Sequence, residues 1–178
     1  MNVPTLNTER LILKALADSD AQSLLAYRSD PEIFRYQSWK PTALEEARDF
    51  ITRYTQSFDQ EGTWFQLGIF ERNSMVLIGD LGLHFVDDAQ VEIGFTIAGA
   101  HHRKGYGREA VWSVIDYLFG VMKKHRVTAS VDPANLASIA LLKSVGMRQE
   151  AHFKKSILID GRWEDDLQFA ILEEEWMK

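Results

Sequence analysis

A single strand–helix–strand run, set between pairs of hairpin-type strands, constrains this chain more than any other feature. Residues 91–97 and 126–131 are β-rich, and between them Val111, Val114, Ile115, Leu118 and Met122 recur at helical spacing over residues 107–124. Parallel strands need a crossover of this kind, whereas antiparallel neighbours can be joined by a short turn. Short polar links of the second sort precede the run: Arg72-Asn73-Ser74 joins residues 64–71 to 76–85, and Asp87-Asp88 leads into Val91. Another follows it, where Asp160-Gly161 joins residues 153–159 to 163–171. The predicted fold class is therefore α/β of the mixed α+β kind. It has a mostly antiparallel central sheet, one parallel crossover and helices on both faces.

The remaining elements fit around that frame. Residues 10–17 alternate as a strand, and Asp18 is placed to cap a helix through Ala21, Leu24 and Leu25 that fades near Pro31. After an aromatic loop over residues 34–41, Thr42 and Glu45 have capping-box spacing. They open a helix with Leu44, Ala47, Ile51, Tyr54 and Phe58 on one face. A short helix is expected to begin at Asn135 and stop at Gly146. No repeat or Pro/Gly/Ser-rich linker divides the 178 residues, so one domain over 1–178 is expected.

Charge and composition remove several function classes. With 20 basic and 26 acidic side chains the formal charge is −6, which disfavours nucleic acid and anionic membrane as partners. The absence of cysteine excludes disulfides, thiolate zinc sites and a cysteine nucleophile, and no metal is expected. No apolar run approaches the ~20 residues of a membrane span, and the N-terminus lacks a basic segment followed by an apolar stretch. A cytoplasmic protein is expected.

The segment His101-His102-Arg103-Lys104-Gly105-Tyr106-Gly107-Arg108 lies between a strand and a helix. Its glycines let backbone N–H groups approach an anion, the helix start adds unpaired N–H groups, and Arg103, Lys104 and Arg108 concentrate positive charge. Two glycines can also simply form a tight turn beside a solvated basic face. Gly105-Tyr106-Gly107-Arg108-Glu109-Ala110 formally matches a dinucleotide fingerprint, with Asp132 as its ribose acid, but that motif belongs on an open parallel sheet. The residues themselves point to a pyrophosphate-containing ligand and leave acetyl-CoA and a dinucleotide both open.

A resemblance narrows the choice. Thr8-Glu9-Arg10-Leu11-Ile12-Leu13 with Asp20-Ala21, then Tyr36, Trp39, Pro41, Glu46-Ala47, Phe50-Ile51 and Glu92-Ile93-Gly94-Phe95, resemble the GNAT superfamily of N-acetyltransferases in order and spacing. The likeness is to its RimJ/RimL ribosomal-protein branch. Asn135, Ser138, Leu141, Leu142, Lys143 and Gly146 are similar to that family's second CoA-contacting motif, and Asp160-Gly161-Arg162-Trp163 through Glu175-Trp176 to its closing hairpin and tail. The resemblance spans nearly the whole chain. It implies the GNAT fold, acetyl-CoA as donor, and a primary amine as acceptor: a protein N-terminus, a polyamine, an amino sugar or another small amine. The CoA-binding set it implies is Ile97, His102, Arg103, Lys104, Gly105, Tyr106, Gly107, Arg108 and Asn135, with backbone N–H groups at the end of strand 91–97 meeting the oxyanion. His102 stands where the family usually has Gln or Arg, and Leu142 where many members carry a tyrosine acid.

Acetyl transfer needs a neutral amine, yet an alkylamine has a pKa of about 10.4, so a base must take a proton. Glu92 is the first candidate, on the strand face with Gly94 and Thr96, and His84 is an alternative. A strand glutamate is more often solvated or salt-bridged, and a single histidine more often a structural hydrogen-bonder. Ser138 is the candidate proton donor to the leaving thiolate, or else a helix cap beside Asn135. Phe34, Tyr36 and Trp39 either border an acceptor pocket or belong to the core. A homodimer is open, although no interface signature is visible. The alternative functions are a CoA-binding regulatory module without turnover and a dinucleotide-binding protein.

Overall fold

The structure, a computed structural model, describes residues 3–37 and 39–176. In chain order its elements are β1 (Leu6–Asn7), β2 (Leu11–Ala15), α1 (Ala21–Arg28), α2 (Pro31–Phe34), α3 (Leu44–Tyr54), β3 (Thr63–Glu71), β4 (Leu77–Phe85), β5 (Gln90–Ile97), α4 (Tyr106–Gly120), β6 (Arg126–Val131), α5 (Leu136–Ser144), β7 (Arg148–Ile159), β8 (Arg162–Leu172) and α6 (Glu173–Trp176). The eight strands form one sheet in the order β1-β2-β3-β4-β5-β6-β8-β7. Only β5 and β6 pair in parallel among the described residues, across the α4 crossover. The open parallel sheet of a dinucleotide fold is therefore not the architecture of this chain.

Strand alternation decides what each face carries. On β4 and β5, Leu81, Leu83, Phe85, Val91 and Ile93 join Val111, Val114, Ile115 and Leu118 of α4 and Leu142 of α5 in the main core. Full burial of each such side chain contributes about 1.5–3 kcal/mol, so this face dominates the stability. The alternate residues Asp80, Gly82 and His84 lie opposite Thr96, Gly94 and Glu92 and form a polar stripe on the other face. Helices α1 and α3 cover part of that face through a second cluster that includes Leu24, Tyr27, Ala47, Ile51, Phe70 and Leu77. The stripe beyond their cover is where a ligand can reach the sheet.

Several boundaries differ from the sequence reading, each for a local reason. The N-cap of α3 is Ala43, so Glu46 and not Glu45 occupies the third helical position, and its Oε2 accepts from the Thr42 and Ala43 N–H groups. Phe58 fits the helical spacing but lies beyond the end of α3, entering the main core from a loop edge-on to Phe65 and Phe85. Helix α4 stops at Gly120, short of Met122. Strand β7 begins at Arg148 rather than near Phe153. Its register shifts between Phe153 and Ile157, where Lys155 has φ +49°, and its polar sequence hides the alternation. The helix from Asn135 ends as expected: Gly146, at φ +90°, donates to Lys143 O and Met147 to Leu142 O, a Schellman closure.

Candidate active site

The parallel pairing of β5 with β6 is short. Gln90, Val91 and Glu92 face Arg126, Val127 and Thr128, and beyond them the two strands have no further rungs between them. Into the fork come Asn135, the cap of α5, with Ser138 and Leu142 of α5, which with residues 93–96 of β5 and residues 129–132 wall a cleft of about 410 Å³. A second lobe of about 500 Å³ runs along α4 and α5. The two lobes share Tyr36, Gln37, Phe95, Thr96, Asn135 and Ser138, so the fork is a passage between two differently built chambers.

The second lobe is the anion-type chamber. The first bond of α4 runs from Glu109 N–H to Gly105 O, leaving the N–H groups of Tyr106, Gly107 and Arg108 without partners inside the helix. Arg103 at φ +60° and Gly105 at φ +80° turn the backbone into that start, a left-handed conformation that is strained for arginine. A Cβ on Gly107 would sit 2.7 Å from Leu141 Cδ1, so glycine lets α4 close on α5. Arg103, Lys104 and Arg108 are exposed and supply positive charge around the mouth. Two buried polar atoms on the walls of this lobe, Thr96 Oγ1 and His101 Nδ1, have no partner among the described residues.

The first lobe is aromatic and acidic. Tyr36, Trp39, Phe50, Tyr54 and Trp64 line it, with Asp132, Asp165 and Asp166 on the opposite wall. Trp39 stacks on Phe50 at 4.1 Å between ring centroids, and Tyr36 Oη donates to Ala134 O at 3.3 Å. Beneath lies Asp80, fully buried. It accepts from Tyr27 Oη at 2.6 Å, from Arg28 Nε at 3.0 Å, and from a second Arg28 nitrogen and Gln66 Nε2. Such a buried charge is tolerable only when paired and fully bonded, as here. Burial, reinforced by Asp80, holds the Tyr27 phenol well above its ordinary pKa, so it stays a donor. Arg28 Nη1 also donates to Gln37 Oε1, which fixes the only cation lining this lobe among the described residues.

The residues singled out from sequence distribute unevenly. Ile97, His102, Arg103, Gly105, Tyr106, Gly107, Arg108 and Asn135 all line the second lobe, whereas Lys104 does not. Lys104 instead offers its carbonyl to Arg10 Nη1 at 2.9 Å. Tyr106 turns its hydroxyl outward to Glu71 Oε1, so its backbone is the part available to a ligand. His102 folds back and its Nε2 meets Ile97 O at 2.7 Å. Asn135, not Ser138, caps α5: its Oδ1 accepts from Ser138 N–H at 3.1 Å. The Ser138 hydroxyl has no hydrogen-bond partner among the described residues and lies on the wall shared by both lobes.

Glu92 lines neither lobe; it sits at the root of the fork with Oε2 3.4 Å from His84 Nδ1, and His84 stacks on Trp64. Of the loop aromatics, Tyr36 and Trp39 line the cleft and Phe34 does not. Sequence reasoning missed Arg28, Gln66, Asp80, Asp165 and Asp166. Their signal was weak because they lie on four separate elements that only the sheet brings together.

Known proteins share this construction. Residues 10–148 match the family model described as the acetyltransferase (GNAT) domain. The chain is 34% identical over 97% of its length to p20 of Bacillus licheniformis, an uncharacterized N-acetyltransferase, covering 98% of that protein. It is 27% identical over 98% of its length to the [ribosomal protein uS5]-alanine N-acetyltransferase of Escherichia coli, covering 95% of it. A crystal structure of a GNAT-family acetyltransferase from Bacillus anthracis superposes with a TM-score of 0.88 at 27% identity, over 96% of this chain and 99% of that one. With the forked sheet and the model match in agreement, the chain belongs to the GNAT family of N-acetyltransferases.

Proposed function

We propose that this enzyme moves the acetyl group of acetyl-CoA onto a primary amine, with the donor in the α4 lobe and the acceptor in the aromatic, acidic lobe. The observation that carries the reading is the shared wall of the fork, which makes the two chambers meet at Phe95, Thr96, Asn135 and Ser138. The α4 lobe fits a CoA pyrophosphate: three helix-start N–H groups, a left-handed turn and the exposed bases Arg103 and Arg108 border it. Bound there, acetyl-CoA supplies a thioester whose carbonyl carbon is open to attack. Arg103, Gly105, Tyr106, Gly107 and Arg108 would hold the phosphates, and Ile97, His102 and Asn135 border the remainder of the donor.

Ser138 is the proton donor to the departing thiolate in this reading, since Asn135 already performs the capping and leaves the hydroxyl free. Glu92 and His84 stand outside the lining, so a proton reaches them only through water. A cationic acceptor suits three carboxylates and an aromatic wall. The relation to the ribosomal-protein enzyme supports a RimJ/RimL-type acceptor such as a protein N-terminus, with small amines and polyamines in the same chemical class and the cytoplasm as the setting. A thermal-shift titration with acetyl-CoA, CoA and NAD, followed by thiol release over a panel of amines and N-terminal peptides, tests the reading. Stabilisation by both CoA forms and release with one amine class is expected. CoA binding with no release would leave a binding module, and no response to CoA would overturn the donor assignment.

A further inference from the structure

The three carboxylates of the acceptor lobe have different surroundings. Asp165 accepts from Lys155 N–H at 3.0 Å, Lys154 Nζ at 3.0 Å and His152 Nε2 at 2.8 Å, which ties it into β7. These donors hold it far below the usual carboxylate range, so it is a poor proton acceptor. Asp132 Oδ1 takes the Ala134 N–H at 2.7 Å and shapes the turn into α5. Asp166 differs from both. It is only 6% exposed, it receives one bond, from Ser130 Oγ to Oδ1 at 2.6 Å, and no ion pair or partner for Oδ2 occurs among the described residues.

With Oδ1 held by Ser130, Oδ2 is the carboxylate oxygen left open to a donor arriving in the lobe. The lobe's own cation, Arg28, is already engaged by Asp80 and Gln37. Strand register places the group well. Ser130 lies opposite Gln168, so Asp166, two residues before it, shares the face of Ser130, which is also the face of Thr128 opposite Glu92. Asp166 and Gly94 both line the acceptor lobe, which Glu92 does not reach.

Resting on the acetyltransferase reading above, we propose that Asp166 receives the ammonium of the acceptor and takes its proton, with Ser130 as the residue that positions it. One proton passes from the ammonium nitrogen to the Asp166 carboxylate and later to solvent. The freed lone pair forms the C–N bond at the thioester carbonyl, and the C–S bond breaks as the tetrahedral intermediate collapses. The thiolate takes its proton from Ser138, whose hydroxyl is restored by the second proton leaving the nitrogen. The products are the amide, CoA thiol and one proton.

The test is Asp166→Asn, which preserves size and leaves Ser130 an acceptor, checked for an unchanged Tm. Binding of acetyl-CoA belongs to the other lobe and is expected to be unaltered. If the wild-type protein fails to bind acetyl-CoA, the donor reading alone fails, and amine titration followed by tryptophan fluorescence still decides this assignment. Amine affinity is expected to drop at least about tenfold and kcat/KM at neutral pH about 100-fold, the scale of general-base catalysis. The loss should shrink towards pH ~10, where solvent supplies neutral amine. Ser130→Ala removes the hydroxyl that holds Asp166 Oδ1 and is expected to lower kcat/KM about tenfold at unchanged Tm, and Ser130→Thr, which keeps the hydroxyl, is expected to restore it. The assignment is overturned if D166N keeps wild-type amine affinity and pH profile, if wild type binds no amine, or if Glu92→Gln shows these losses instead.

Discussion

At the scale of single residues, Glu109 connects the phosphate turn to the start of the chain. Its Oε1 accepts from Thr8 Oγ1 at 2.6 Å and from Arg10 N–H at 2.9 Å, and its Oε2 from Arg10 Nε at 2.7 Å. Arg10 in turn reaches the Lys104 carbonyl and lies 4.7 Å over the Tyr106 ring. Burial acts to raise the Glu109 pKa, but the Thr8 hydroxyl and the Arg10 amide and guanidinium outweigh it and hold it below the ordinary value. The folded state therefore binds this proton less readily than the unfolded state. The stabilisation is present above the unfolded pKa of about 4.3 and is lost as pH falls through the folded value. Glu109→Gln should cost about 1–2 kcal/mol at pH 7 in urea unfolding, the lower part of the range for hydrogen bonds to a charged group, because the Arg10 side chain is exposed and its contribution screened. The difference from wild type should narrow as pH drops below about 4. A gap that ignores pH would assign the loss to packing. The Thr8-Glu9-Arg10 run was legible as a family feature, but its partner about a hundred residues away was not, because local periodicity carries no information on such contacts.

Among the elements, the fork between β5 and β6 matters most, and Gly94 sits where it opens. Its backbone needs no glycine-only conformation, and a Cβ built there meets no atom within 4 Å. The vacancy is the cleft itself, since Gly94 lines the acceptor lobe opposite Gly82. Gly94→Val should leave stability within about 0.5 kcal/mol of wild type, because a β-branched residue suits a strand and strains nothing. It should lower kcat/KM for the acceptor at least about tenfold by displacing the amine from its approach. Equal activity in a folded G94V protein would move the acceptor to another part of the lobe. Regular elements were readable where period and punctuation agreed: β6 and the α5 cap-to-Schellman span fall where their residues predicted. Legibility failed where a side chain obeys a period without belonging to the element, as Phe58 does, or where a strand carries mostly polar residues on both faces, as β7 does. The splaying of two strands leaves no local mark at all, so the cleft's existence had to come from the sheet.

Across the whole molecule the charge of −6 conceals a separation that governs how ligands arrive. Exposed Arg103 and Arg108 line one chamber of the passage, with Lys104 exposed on the turn between them, and Asp132, Asp165 and Asp166 line the other chamber. The basic turn was visible in sequence because its residues are contiguous, whereas the acidic wall is assembled from the β6–α5 turn and β8, on either side of α5. An anionic donor and a cationic acceptor therefore each meet a surface of opposite sign, against a background that repels only the donor. Raising salt from about 50 to about 300 mM shortens the screening length from about 14 to about 6 Å, which weakens attractions at exposed mouths more than contacts inside the lobes. The Kd of acetyl-CoA, measured by calorimetry, is expected to rise about threefold or more over that range, and the KM of the amine to rise with it. Tm should change little, since the apolar cores and not these charges hold the sheet together. A Kd indifferent to salt would mean that the three bases face solvent rather than the donor. A KM indifferent to salt would identify an acceptor that arrives uncharged, and the carboxylate wall would then serve the proton and not the encounter.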